Sequence, residues 1–300
     1  MKKLIRKGKV KEVYEVDEDR LKFFFTDNIS VFDKVIPNDI PRKGETLCKT
    51  SSFWFEKCEG LGIRTHFLDM PEDQVMEVKK TEVIKDNDKI DNNTTNYLIP
   101  LEFIARYFLT GSLYDRLKKG KLDFREFGFS EKPEYGEKLP EPHFEVATKF
   151  EEFDRELEKK EALDLSGLTD EEYEEIKETV FEVDKMIKNN VEKNGLLYIE
   201  GKKEFAMDEN RDIMLVDTFG NADEDRFWEK DEYEKGNFVQ KCKEFVKQYY
   251  KDTGYHEKLM RARENNEEEP PIPPLPDDMV ERISELYVDN MSRLTDGKFR

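Results

Sequence analysis

The sequence has few of the residues that build disulfide frameworks and zinc sites. Of its 300 residues, three are cysteine and three are histidine. The cysteines form no C-x-x-C pair and no even set, which excludes a disulfide scaffold and is typical of a reducing cytoplasm. The histidines are scattered, which argues against a zinc centre. The cysteines are Cys48, Cys58 and Cys242, and the histidines are His66, His143 and His256.

Long apolar runs and several common catalytic patterns are also missing. No apolar run is long enough to span a bilayer, and there is no signal-peptide pattern. We therefore expect a soluble protein in the cytoplasm. There is no Walker A loop and no G-x-G-x-x-G motif. No Ser or Cys stands in an activated constellation, which is consistent with chemistry that needs no covalent enzyme nucleophile.

Positive charge is in deficit. The chain has 51 Lys and Arg against 70 Asp and Glu, which gives a net charge of -19. Such a surface repels phosphate backbones, so we expect no nucleic-acid partner and no membrane partner. Anionic substrates would need local Lys, Arg or a metal; the charge otherwise serves solubility. A hydrophobic content of 36% allows a sizeable core in one large or two ordinary domains.

The run from Pro100 to Ser112 is apolar and aromatic except for two charges. Its composition favours a strand, on which Glu102 and Arg106 share one face about 13 Å apart and cannot simply pair. On a helix the two would form an i,i+4 ion pair. After the strand, the turn at Gly111 and Ser112 offers N–H groups and a hydroxyl to an anion, beside the Arg106 guanidinium.

Residues 8–26 are predicted to form a hairpin near the N-terminus. Gly8 permits close approach of a ligand or another backbone. Lys9 and Lys11 project from one face because side chains repeat every two residues. Their like charges favour an anion lying over them, or else they are gatekeepers on a solvated edge strand.

Two further segments, 203–207 and 213–217, flank a polar turn. With the turn centred between residues 210 and 211, Glu204 lies directly across from Asp217, with Cβ atoms about 5 Å apart. Like charges so placed are destabilising unless a divalent cation lies between them, and oxygen ligands suit Mg²⁺. A turn centred elsewhere would leave both carboxylates merely exposed.

Helices are predicted from caps and apolar periodicity. Thr169 and Glu172 form a capping box that begins a helix of about 24 residues, ending at Asn194-Gly195. Residues 65–84 suggest further strands. The other predicted helices cover residues 46–58, 113–119, 238–250 and 279–294.

The run from Pro100 to Ser112 resembles the signature of the SAICAR synthetase (phosphoribosylaminoimidazole-succinocarboxamide synthase) family. That signature has a Pro, an aliphatic residue and Glu, then Arg, and Gly-Ser at its end. Other segments are similar to family motifs in the same order, so that the resemblance covers nearly the whole chain. They are Gly8–Lys11, Asp27–Asp33, Ile40–Gly44, Leu139–Pro142, Ala147–Glu151, the 203–217 hairpin and Asn221–Trp228.

The resemblance implies an α+β fold. Its N-terminal antiparallel sheet domain, residues 1–98, would resemble a kinase small lobe. A larger α+β domain, residues 99–300, would carry the metal hairpin and C-terminal helices. The implied activity joins L-aspartate to 5-aminoimidazole-4-carboxylate ribonucleotide (CAIR), using ATP and Mg²⁺ and an acyl phosphate, to give SAICAR, ADP and phosphate in purine biosynthesis. Small molecules would be its partners, in a monomer or small homo-oligomer.

The resemblance also implies roles for individual residues. Lys11, Glu204 and Asp217 would be catalytic, the two carboxylates as metal ligands. The nucleotide would be held by Gly8, Lys9, Lys11 and Lys149. The other substrates would be held by Ser30, Asp33, Lys43, Arg106, Gly111, Ser112, Asp154 and Arg226.

The chain departs from the family pattern at several positions, and two of them stand directly beside residues named above. Phe153 stands where the family has a His, and Thr218 stands where it has a Glu after the metal-binding Asp. Two rival hypotheses stay open, and these departures suggest only the second of them. One is a kinase-like ATP phosphotransferase that acts on another small molecule, and the other is a non-catalytic nucleotide-binding relative.

Overall fold

The computed structural model of the chain describes residues 3–151 and 155–299. They form a mixed α+β structure with antiparallel sheets and C-terminal helices, which confirms the predicted fold class. Within the described ranges, every helix is too short or too polar to serve as a membrane span.

The strands and helices are numbered here in chain order. The strands are β1 (Lys3–Lys7), β2 (Lys11–Glu15), β3 (Arg20–Phe25), β4 (Asn28–Val31), β5 (Lys34–Asp39), β6 (Phe67–Glu72), β7 (Val75–Lys79), β8 (Tyr97–Leu98), β9 (Leu101–Phe108), β10 (Lys138–Thr148), β11 (Glu156–Leu157), β12 (Leu196–Met207), β13 (Ile213–Val216) and β14 (Arg226–Glu229). The helices are α1 (Lys43–Gly60), α2 (Gly111–Lys118), α3 (Lys159–Ser166), α4 (Asp170–Val191), α5 (Lys230–Tyr233), α6 (Glu244–Asp252), α7 (Tyr255–Glu264) and α8 (Asp277–Leu294).

A five-stranded antiparallel sheet occupies the N-terminal part, in the order β1-β2-β3-β7-β6. The hairpin predicted for residues 8–26 is confirmed as β2 and β3. Phe23 and Phe25 alternate along β3 and are buried, and β3 packs against α1. Because β1 covers β2, Lys11 lies on an interior strand, so the edge-strand interpretation of this lysine is wrong.

A larger sheet follows, in the order β11-β10-β9-β12-β13, with β14 and β8 also paired to β12. The strand predicted between Pro100 and Ser112 is confirmed as β9, and the helical alternative is wrong. Strand β9 lies in the middle of the sheet between β10 and β12. Its charged side chains therefore meet partners from two neighbouring strands.

Helix α4 packs on β9 and β12. The predicted capping box is confirmed, with the Thr169 hydroxyl and the Glu172 carboxylate each accepting a backbone N–H. The apolar residues spaced three and four apart along α4 are buried. They are Tyr173, Ile176, Val180, Val183 and Ile187. The α-helix ends at Val191, and a 3₁₀ turn at residues 192–194 completes the predicted length before Gly195.

Two predictions of secondary structure are corrected. Strand β12 begins at Leu196, seven residues before the start of the predicted segment 203–207. It passes through Gly201, where a Cβ would lie 1.8 Å from the Tyr198 hydroxyl. The helix predicted for residues 238–250 begins only at Glu244, because residues 239–241 form backbone hydrogen bonds with β14.

The proline-rich segment 270–276 connects α7 to α8. Tyr250 and Tyr255 donate hydroxyl hydrogen bonds to the carbonyls of Pro273, at 2.7 Å, and Pro270, at 3.0 Å.

Strands β1 to β7 lie within residues 3–79, whereas β8 already pairs with β12. The division predicted between residues 98 and 99 stays a prediction.

Candidate active site

The register of the β12–β13 hairpin differs from the predicted one by one residue. Glu204 lies across from Val216, and Asp217 follows the end of β13. The Asp208 N–H donates to the Asp212 carbonyl at 3.0 Å, and Arg211 takes a left-handed φ of 64°. The loop therefore has three residues, 209–211, and not the four that were predicted. The shorter loop shifts the pairing of the two strands by one residue. The prediction that Glu204 and Asp217 pair directly is therefore wrong.

Contacts between Arg211 and residues distant in the sequence explain the conformation of this loop. The Arg211 guanidinium binds the Glu172 carboxylate at 2.8 Å, at the start of α4. It also donates to the carbonyl oxygens of Thr94, at 2.6 Å, and Gly167, at 2.8 Å. These tertiary hydrogen bonds stabilise a conformation that is uncommon for a residue other than glycine.

Asp217 occupies a strained position at the end of β13. Its φ of 59° is left-handed, and strained backbone of this kind clusters at functional sites. Its carboxylate binds the Lys11 ammonium group. Burial raises the pKa of Asp217, but the positive charges of Lys11 and Lys149 outweigh it and hold the pKa well below its ordinary value. Asp217 is therefore an anion at neutral pH.

Glu204 is buried in the same charged cluster. Its carboxylate binds Lys149, and the Lys202 ammonium group lies 3.2 Å away. Burial lowers the pKa of Lys149, but Glu204 and Asp217 raise it above its ordinary value, so this lysine senses both carboxylates. The structure thus brings Lys11, Lys149, Glu204 and Asp217 together, even though the two carboxylates are not directly opposite.

Lys202 is a member of this cluster that the sequence analysis missed. Its ammonium group lies 2.8 Å from Glu102 and 3.3 Å from Glu224, besides its contact with Glu204. Burial lowers the pKa of Lys202, but these carboxylates raise it well above its ordinary value. The signal was available in the alternation of Glu200, Lys202 and Glu204, which places all three on one face of a strand.

The donor set of Glu204 and Asp217 fits a magnesium ion. Both offer carboxylate oxygens, the ligands that hard divalent cations prefer. Across residues 3–151 and 155–299, the group of three ligand atoms close enough to hold a metal is His143, Glu145 and Glu156. Arg116 already binds both of those carboxylates. We therefore interpret that second group as an ion-pair cluster.

Two arginines form the other half of the site. Glu200 lies in register with Arg106 on β9 and with Arg226 on β14. Its carboxylate accepts a hydrogen bond from Arg226 Nε at 3.0 Å and also binds Arg106. Burial raises the pKa of Glu200, but the two guanidinium groups outweigh it and lower the pKa to about 2. Glu200 therefore holds both arginines through its negative charge.

The turn after β9 lies against these arginines. The Ser112 hydroxyl lies 3.1 Å from Arg106 Nη2. A Cβ at Gly111 would lie 3.2 Å from Arg226 Nη2, and the φ of Gly111 is 51°. A larger residue would crowd the guanidinium groups. The predicted set of Arg106, Gly111, Ser112 and Arg226 is thus one group in space.

The remaining nucleotide residues lie at the start of the hairpin. The Gly8 N–H donates to the Lys11 carbonyl at 2.9 Å, and a Cβ there would approach that oxygen to 2.8 Å. Lys9 forms an exposed ion pair with Asp33 at 2.6 Å. Ser30 is half-buried on β4, close in sequence to Asp33. The structure therefore joins Lys9 to the β4–β5 turn.

One predicted substrate residue is paired inside the fold. Lys43 is completely buried and forms an ion pair with Asp223 at 2.8 Å, and Asp223 also accepts a hydrogen bond from the Tyr287 hydroxyl at 2.5 Å. The charge of Lys43 is thus used inside the fold, and its contact with substrate stays a prediction. Asp154 and the adjacent Phe153 lie outside the described residues.

Comparisons with known proteins converge on one family. A model described as SAICAR synthetase matches residues 4–262. A phosphoribosylaminoimidazole-succinocarboxamide synthase of Thermoplasma acidophilum is 51% identical over 297 residues, which cover 99% of this chain and 100% of the relative. The SAICAR synthase of Saccharomyces cerevisiae, solved with SAICAR, aligns with a TM-score of 0.74 and 26% identity, over 99% of this chain and 95% of its own. A Type-2 SAICAR synthetase in complex with ADP aligns with a TM-score of 0.69 and 24% identity, over 98% of this chain and 99% of its own, and shows the same fold.

Proposed function

The chain belongs to the SAICAR synthetase family, and from that membership we propose how its residues divide the work of one reaction. The reaction is the ATP-dependent ligation of L-aspartate to CAIR, which gives SAICAR, ADP and phosphate in purine biosynthesis. The resemblance found in the sequence is confirmed.

The chemical task is to make an amide from an unreactive carboxylate. Transfer of the ATP γ-phosphoryl group to the CAIR carboxylate yields an acyl phosphate and ADP. The aspartate amine then attacks the acyl carbon, the C–O bond to phosphate breaks, and the amine loses a proton. No covalent bond to the protein forms, so the side chains act by positioning the substrates and by stabilising charge.

Lys11 and Lys149 are proposed to bind the ATP phosphates. Both ammonium groups lie in the charged cluster and face carboxylates. The hydrogen bond from the Gly8 N–H to the Lys11 carbonyl holds the backbone that precedes β2 beside Lys11. Lys9 lies in this turn. Positive charges held in place before the reaction stabilise phosphate charge as it develops, at little reorganisation cost.

Glu204 and Asp217 are proposed to hold a magnesium ion. The oxygen donors fit, as argued above, and the pKa of Asp217 is depressed, so this ligand is ionised. When bound, the ion supplies positive charge to the ATP phosphates. Glu204 and Asp217 would then hold the ion, and the ion together with Lys11 and Lys149 would neutralise the charge of the polyphosphate.

Arg106, Ser112 and Arg226 are proposed to hold the ribonucleotide through its phosphate. A guanidinium group offers paired N–H donors that match phosphate oxygens, which a lysine does not. Glu200 keeps both guanidinium groups in place. The same role is proposed for the backbone N–H at Gly111, where the missing side chain allows close approach.

One observation carries the proposal. Glu200, Lys202 and Glu204 lie on one face of β12, so the arginine group and the carboxylate cluster stand about 13 Å apart along one strand. Glu102 and Arg106 on β9 contact the same face, through Lys202 and Glu200. A single face can thus hold the nucleotide phosphates at one end and the ribonucleotide phosphate at the other.

The test is a coupled ADP-release assay in which ATP, CAIR and L-aspartate are omitted in turn, with formation of the succinocarboxamide followed in parallel. We expect ADP and product to appear together only when all three are present. ATP turnover that is independent of aspartate would favour the kinase-like alternative. ADP binding without any product would favour the non-catalytic alternative that Thr218 and Phe153 suggested.

The setting of the reaction is also proposed. The cysteines at positions 48, 58 and 242 are free and buried, which fits a reducing cytoplasm. The acidic surface and the anionic substrates favour small-molecule partners over nucleic acid or membranes. We propose a monomer or small homo-oligomer, which analytical ultracentrifugation would determine.

A further inference from the structure

A buried histidine contacts the backbone of the proposed metal ligand Asp217. The side chain of His66 is enclosed, and its Nε2 lies 3.2 Å from the Asp217 carbonyl oxygen. A carbonyl oxygen only accepts hydrogen bonds, so Nε2 carries the hydrogen in this contact. Burial lowers the pKa of His66 to about 4, so the imidazole is neutral near pH 7.

The backbone around this contact connects the two sheets. The His66 N–H donates to the Leu215 carbonyl at 3.0 Å, and the Leu215 N–H donates to the Arg64 carbonyl at 2.9 Å. In the other direction, the Lys79 N–H donates to the His66 carbonyl at 2.7 Å. The segment 64–66 therefore joins β13 of the larger sheet to β7 of the five-stranded sheet.

The side chains close a ring of contacts. The His66 imidazole packs edge-on against Phe23, with ring centroids 5.7 Å apart. The Lys11 ammonium group lies 4.3 Å from the centroid of the Phe23 ring and binds the Asp217 carboxylate. The ring of contacts thus runs from Lys11 to Asp217, on to His66 and Phe23, and back to Lys11.

The position of Asp217 requires such support. A non-glycine residue in the left-handed region is strained and persists only where its surroundings fix it. The carboxylate is held from one side by Lys11, and the carbonyl is held from the other by His66. Without the second contact, the peptide after Asp217 is free to relax, and the carboxylate moves with it.

We propose that His66 is a positioning residue that fixes the backbone of Asp217, so that this carboxylate and Lys11 meet with the geometry that nucleotide binding requires. The inference rests on the proposed roles of Lys11 and Asp217. It assigns to His66 no contact with substrate. The competing explanation is packing alone, because His66 also lies between Phe23 and Phe55, whose ring centroid is 5.2 Å from that of His66.

A matched pair of variants separates these explanations. Gln and Met have similar length and volume, but only Gln donates an N–H. We expect His66→Met to weaken ADP binding in the presence of Mg²⁺ by about tenfold, the effect of one lost hydrogen bond to a buried carbonyl, with a matching loss in kcat. We expect His66→Gln to restore ADP affinity to within about threefold of the unmodified protein. Isothermal titration calorimetry measures the affinity, and circular dichroism measures the melting temperature.

Two further variants serve as controls for these measurements. Phe55→Leu is the packing control, and it should lower the melting temperature while leaving ADP affinity unchanged. Equal ADP affinity in the Gln and Met variants, or a Gln variant that does not fold, would overturn the role of His66. Asp217→Asn tests the underlying assignment separately. If it binds ADP with Mg²⁺ as tightly as the unmodified protein, the proposed nucleotide site itself is wrong.

Discussion

Glu200 stands in register between Arg106 and Arg226, one on each neighbouring strand, and its carboxylate binds both. We expect Glu200→Gln to raise the KM for CAIR by about tenfold, because a neutral amide binds two guanidinium groups more weakly and lets them turn away from the ribonucleotide phosphate. The KM for ATP should stay within twofold, since the lysine cluster is untouched. Steady-state kinetics with each substrate varied in turn measures both.

A control for this change is available on β14. Glu229 also binds an arginine, Arg293, through two contacts of 2.8 Å, but belongs to no proposed site. Glu229→Gln should leave both KM values unchanged. A CAIR KM that does not respond to Glu200→Gln would remove the arginine pair from ribonucleotide binding.

Glu204 is the sharper test of catalysis. Glu204→Gln removes one proposed metal ligand and the negative partner of Lys149. We expect turnover to fall by at least about a thousandfold, because charge stabilisation of the phosphoryl group is the main work of this type of site. The variant should keep its fold, as circular dichroism would show, since Gln keeps the size of the side chain and Lys149 still has the charges of Asp217 and Glu102 nearby.

The matched variant is Glu209→Gln, in the exposed loop of the same hairpin. It should be fully active, which would show that neutralising an acidic residue of this hairpin is harmless in itself. Activity in Glu204→Gln close to that of the unmodified protein would exclude Glu204 from the mechanism.

Lys43 provides a prediction of stability. Its ammonium group is wholly buried against Asp223, and Lys43→Met leaves that carboxylate without its nearest cation. We expect a loss of about 3 kcal/mol in the free energy of unfolding, somewhat offset by Lys243 at 3.8 Å and by the Tyr287 hydroxyl. Urea denaturation measures it. An unchanged CAIR KM in the folded variant would contradict the predicted contact with substrate, whereas a raised KM at unchanged stability would support it.

The sequence sufficed for features that depend on local pattern. Strand β9 was predictable because its aromatic content and the spacing of Glu102 and Arg106 fit a pleated face. Helix α4 was predictable because its capping box and apolar repeat agree. Most of the residues proposed to bind phosphate were identified from short segments that resemble family motifs.

Features that depend on distant partners were not predictable. The hairpin register was missed by one residue because Arg211 is held by Glu172 at the start of another element. The burial of Lys43 follows from its pairing with Asp223, about 180 residues away along the chain. The role of Glu200 required knowing that β9 and β14 flank β12 on both sides. Rules that use only neighbouring residues in the sequence cannot predict these long-range contacts.

We expect the buried carboxyl group of Asp225 to make the stability of the fold depend on pH. Asp225 is buried with Asp184, Tyr198 and Lys203, and burial is the main cause that raises its pKa from 3.8 to about 6. A carboxyl whose pKa is higher in the folded state stabilises the fold at low pH, and this contribution is lost as the pH rises through about 6. We therefore expect the stability difference between the unmodified protein and Asp225→Asn to shift against the unmodified protein between pH 4 and pH 7. Urea denaturation at several pH values measures this difference, and a difference that is constant with pH would show that Asp225 stays ionised in the folded protein.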